Sequence, residues 1–111
     1  MDDLAAKKEI LLVAKSILKG DTHLILGCRR ITGLSCSTEN SEDDIFLPFI
    51  ALDSETDHLP LEVPPELLDP EYLKRVKNEA DRYVSLASDD IRKACVAIVE
   101  KYSKYFDTMQ S

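Results

Sequence analysis

Apolar residues recur at steps of three and four over much of this chain, which predicts helices. Near the N-terminal end, positions 6, 10, 13 and 17 form one stripe and positions 11, 14 and 18 a second beside it, so the helix presents a wide buried face. Asp2 or Asp3 can cap its start, Lys15 and Lys19 lie in its last turn, and Gly20 supplies its stop. Asp21 or Thr22 can cap a second helix at once, making an antiparallel hairpin. In that helix Leu24, Cys28 and Ile31 repeat at helical spacing, with Ile25 and Leu34 near the same face. Gly27 and Gly33 weaken it, each by about 1 kcal/mol relative to alanine. A competing reading makes His23–Leu26 and Arg30–Thr32 short strands.

The longest pattern closes the chain. Apolar residues fall at 73, 76, 80, 83, 87, 91, 94, 98, 102 and 105, and the phase passes through Ser88-Asp89-Asp90 without slipping. Ser88 could start a new helix, but position 91 is isoleucine, so no capping box forms there. One helix over about 70–106 is expected, spanning roughly 55 Å at 1.5 Å per residue, with a break near 88 as the alternative. Tyr83, Tyr102 and Tyr105 fall on its stripe and belong to the core; an exposed tyrosine would suit an interface.

Residues 39–69 differ in kind. All five prolines (48, 60, 64, 65 and 70) lie within this stretch or touch its end, so one long helix is excluded. The run from Ile45 to Leu52 is apolar throughout. Its pattern fits a buried strand or a short buried helix; a helix capped by Asp44 is preferred, since proline is tolerated in a first turn. The fold expected is all-α over 1–111: an N-terminal helical hairpin packed on a long C-terminal helix, with an acidic, proline-containing crossover.

Charge sharpens that division. Residues 1–38 hold four acidic and six basic side chains, residues 70–111 hold seven and eight, and residues 39–69 hold ten acidic and no Lys or Arg. The net charge of −7 therefore arises in the crossover. Nucleic-acid binding relies on Lys and Arg displacing counterions, so an acidic domain is poorly suited to it and attracts basic proteins instead. Arg29-Arg30 is expected to form internal ion pairs. The segment reads either as a solvated surface or as a docking face for a basic protein; the acids placed in that face are Glu42, Asp43, Asp44, Asp53, Glu55 and Asp57.

Other chemistry has weaker signals. Cys28, Cys36 and Cys95 are odd in number and lack zinc or redox spacing, which predicts reduced, mostly buried thiols and a cytoplasmic setting. No signal-peptide pattern or membrane-length apolar run is read, so no membrane partner is expected. Asp53, Glu55, Asp57 and His58 alternate ligand-type side chains, and a small metal or enzymatic site centred on them is one alternative function, a structural helical protein that dimerises through its long helix the other. The glycine and distal glutamate of a calcium loop are missing there, and the chain has no nucleophile elbow, phosphate loop or HExxH. No enzyme activity and no cofactor are expected.

The stretch Phe49-Ile50-Ala51-Leu52-Asp53-Ser54-Glu55-Thr56-Asp57-His58-Leu59-Pro60 resembles the central motif of a family of small bacterial proteins of unknown function. Gly27-Cys28-Arg29-Arg30-Ile31 is similar to that family's second helix, and the resemblance covers roughly residues 20–100. It implies no activity. In size, acidity and lack of catalytic motifs the chain also resembles the immunity proteins of bacterial toxin systems. That resemblance implies a binding protein that neutralises a basic toxin, such as a nuclease, by covering its active site.

Overall fold

A computed structural model describes residues 2–39 and 43–110, and side chains as far as residue 108. Among the described residues the fold is all-helical, without strands. The helices are α1 (Asp3–Lys19), α2 (Leu24–Ser35), α3 (Leu47–Thr56) and α4 (Pro70–Gln110). Short 3-10 turns at Asp44–Phe46 and Pro65–Leu67 precede α3 and α4.

The hairpin forms as the sequence predicts, with one change of cap. Asp2 accepts from Ala5 N–H at 2.7 Å and starts α1. Gly20 ends it at φ 80°, a conformation that favours glycine, and its N–H donates to the Ile17 carbonyl. The cap of α2 is neither Asp21 nor Thr22 but His23, whose Nδ1 accepts from Ile25 N–H at 3.2 Å. Thr22 is engaged elsewhere, sharing a 2.5 Å hydrogen bond with Ser16 across the turn. Helix wins over the short strands at 23–26 and 30–32, because Ile25, Cys28 and Ile31 reach full burial only on one helical face. Gly27 assists that packing. A Cβ there would stand 2.6 Å from Ile17 Cδ1, so the missing side chain is what lets α2 approach α1.

Helix α4 runs unbroken through Ser88 and extends to Gln110, past the expected 106. Val76, Ala80, Ile91, Ala94, Cys95, Ile98 and Tyr102 are buried on one stripe, and Tyr83 and Tyr105 are half-buried. The stripe supplies a continuous apolar face, so no local stop at 88 is needed. Helix α1 packs against α4 and α2, α2 against α3, and α3 back onto α4. Ile10, Ile17, Ile25, Ile31, Phe46, Phe49, Ile91 and Ile98 fill the shared core.

The apolar run 45–52 is helical over most of its length, with Pro48 in the first turn where its missing N–H costs nothing. Its cap is not Asp44: Asp43 accepts from Ile45 N–H at 3.1 Å and opens the 3-10 turn that leads into α3. The run is also not buried throughout. Phe46, Phe49 and Leu52 are buried, whereas Leu47 is 55% exposed and Ala51 is exposed. A helix between two neighbours has two buried directions and one open one, which an unbroken apolar run does not reveal.

The cysteines are unpaired. Cys28 and Cys95 are buried, and burial pushes their thiols up to about 12 and about 11. Cys36 is exposed just past the end of α2, so the expectation of mostly buried thiols holds for two of the three. No helix among the described residues is long and apolar enough to cross a membrane.

Candidate protein-docking face

The sequence places six carboxylates in one partner-binding face; the structure separates them. Glu42 lies outside the described residues. Asp43 points inward at the mouth of α3, where it pairs with Lys101 of α4 and caps Ile45 N–H. The Lys101 ammonium, and then the Ile45 amide, hold its carboxyl below the usual aspartate range. Burial raises the nearby Tyr102 hydroxyl to about 12, and the Asp43 and Asp3 carboxylates push it the same way.

Asp53 faces α2. Its carboxylate stands 3.8 Å from the guanidinium of Arg29, whose side chain is only 15% exposed. Arg29 Nη2 donates to the carbonyls of Thr56 at 2.5 Å and Leu59 at 2.9 Å. One guanidinium thus satisfies carbonyls at and just beyond the C-terminal end of α3 and neutralises Asp53, with Glu62 a further 4.0 Å neighbour. Arg30, exposed, lies 3.9 Å from Glu9 of α1. The expectation of internal pairing for both arginines holds, and it removes Asp53 from any free face.

Asp44 and Glu55 remain. Both line the cleft between α3 and α4, as two adjoining hollows of about 630 and 260 Å³ that share Pro48, Ala51 and Asp90. Residues 48, 51 and 55 lie on one face of α3 by their spacing of three and four; residues 86, 90, 93 and 97 make the matching strip of α4. The floor is apolar, and Leu47 and Leu86, 55% and 76% exposed, stand along it. Asp44, Glu55 and Asp90 stand exposed at its edge, and none of the three is in an ion pair among the described residues. Lys93 is the one base in the lining among the described residues.

Asp57 is exposed beyond the end of α3 and does not line the cleft. His58 turns to Glu79 of α4, 2.9 Å away. Asp53, Glu55 and His58 therefore face α2, the cleft and α4 respectively. Among the described residues no three His, Cys, Asp or Glu side chains are grouped to hold a metal ion. Sequence reading missed Leu47, Leu86 and Asp90. Leu86 carried a usable signal: it is apolar but sits beside the α4 stripe rather than on it.

Comparison with protein families, with curated proteins and with solved structures finds no match to this chain.

Proposed function

We propose that this protein is an immunity-type inhibitor: it binds a basic toxin, a nuclease by preference, and covers the surface that must meet phosphate. The observation that carries the reading is the survival of unpaired acid on the 39–69 segment after internal pairing. Asp43 and Asp53 have bases of their own, whereas Asp44, Glu55 and Asp57 are exposed and in no ion pair among the described residues. A nuclease presents Lys, Arg and His to its substrate, and exposed carboxylates compete for the same groups. Opposite charge also accelerates encounter and makes it sensitive to salt. A metal or enzymatic role centred on Asp53, Glu55, Asp57 and His58 has less support, because Asp53 turns to Arg29 and His58 to Glu79 while Glu55 faces the cleft.

The test begins with the genes beside its own, each expressed in a bacterial host with and without this protein. A neighbour that kills alone and is harmless in company supports the reading; the lack of any such neighbour overturns it. With that toxin purified, Asp44→Asn/Glu55→Gln/Asp57→Asn should slow association roughly tenfold or more at low salt. Unchanged association kinetics would reject this acidic surface as the docking face.

A further inference from the structure

The cleft between α3 and α4 has properties that solvated acid alone does not require. Its floor is apolar, and Leu47 and Leu86 lie exposed along it. Neither leucine contributes to the core. From Leu86 to Ala97 the α4 strip rises about 16 Å at 1.5 Å per residue, the length of three helical turns or about 11 residues. A second copy of this chain is a poor occupant, since it would bring Asp44, Glu55 and Asp90 against the same three acids, with only Lys93 to offset them. The complementary occupant is basic.

We propose that this cleft receives one amphipathic, basic helix of a partner protein. The apolar edge of that helix lies on Pro48, Ala51 and Leu86, and its Lys or Arg side chains meet Asp44, Glu55 and Asp90. Helix-in-groove recognition of this kind draws its affinity from the apolar anchors and its register from the charged rim. The inference rests on the reading of the protein as an acidic binder, and adds to it the binding mode and the residues that anchor it.

Two 14-residue peptides of leucine and lysine, equal in composition and charge, test it. In one the leucines repeat at helical spacing; in the other they are permuted so that no apolar face forms. Titrated into the ¹⁵N-labelled protein, the amphipathic peptide should shift amides within 44–55 and 86–97. It should bind roughly tenfold more tightly than the permuted one, the scale of a single buried anchor. Leu86→Ser, at a site open enough to leave the fold intact, should abolish that preference, with circular dichroism as the check on folding.

Equal binding of the two peptides, unaffected by Leu86→Ser, overturns the cleft as a helix receptor and leaves the acidic reading standing. Binding of neither peptide at low salt overturns both. Light scattering supplies one more outcome: a dimer of the protein that Leu86→Ser dissolves would give the cleft to a second copy and overturn the proposal.

Discussion

The two faces of α3 carry carboxylates only two residues apart in opposite circumstances. Toward α2, Asp53 meets Arg29, which also accepts the duty of satisfying the Thr56 and Leu59 carbonyls. Toward α4, Glu55 and Asp44 stand over an apolar floor and form no ion pair among the described residues. The first face holds the crossover in place; the second is left available. Equal charge along the chain therefore says little about which acids are free. What decides is whether a neighbouring helix brings a guanidinium within reach.

The largest effect should come from breaking the inner face. Arg29→Met removes two charge-assisted hydrogen bonds to carbonyls and leaves Asp53 without its partner. A loss of about 3 kcal/mol is expected. Thermal unfolding followed by circular dichroism should show a fall of order 10 °C in Tm. A change within 1–2 °C would mean that water replaces the guanidinium and that the two faces differ less than the geometry implies.

A smaller effect belongs to the entrance of α3. Asp43→Asn removes the ion pair with Lys101 and should cost up to about 1 kcal/mol at neutral pH, as partly exposed pairs do. The pH dependence follows from the lowered carboxyl. In the unfolded chain this aspartate takes up a proton near 3.8, and in the folded protein only below that value. Its contribution is therefore complete above about 4 and is lost as pH falls through the folded value. Urea unfolding at pH 7 and pH 3 should show the difference between wild type and Asp43→Asn shrinking in acid. A gap that persists unchanged at pH 3 would assign the loss to the cap geometry instead of the charge.

The smallest effect on stability is expected on the outer face. Asp44→Asn and Glu55→Gln, singly or together, should leave unfolding free energy within about 0.5 kcal/mol of wild type. These same substitutions are the ones expected to slow partner binding. A destabilisation comparable to that of Arg29→Met would show that the outer acids are structural as well, and would remove the contrast between the faces.

Much of the fold could be read from spacing. The stripe from 73 to 105 predicts α4 through Ser88, and the α1 stripes name residues that are buried or partly buried. The caps depend on more than local spacing. Asp2 and Gly20 act as expected, but His23 displaces Asp21 and Thr22 because the turn ties Thr22 to Ser16. Asp43 displaces Asp44 because the 3-10 turn places its carboxylate over Ile45 N–H. Gly27, read as a weakness of α2, is a point of close approach to Ile17. Of the site, the segment was legible but its membership was not: Asp44 and Glu55 stay at the cleft, Asp43 and Asp53 are withdrawn into ion pairs, and Asp90 enters from α4.

The features set by the order of residues are local in origin: helical periodicity, the glycine that ends α1, the prolines that keep 39–69 from being one helix, and the confinement of excess acid to that stretch. Each depends on residues within a few positions of one another, where backbone geometry alone decides which side chains meet. The tertiary structure decided which acids are neutralised and which are free, because Arg29 meets residues 27 and 30 positions away and Lys101 meets one 58 away. It also decided that an apolar run and an off-stripe leucine should form the floor of one acid-rimmed cleft, since only the crossing of α3 over α4 puts Leu47 and Leu86 along the same surface.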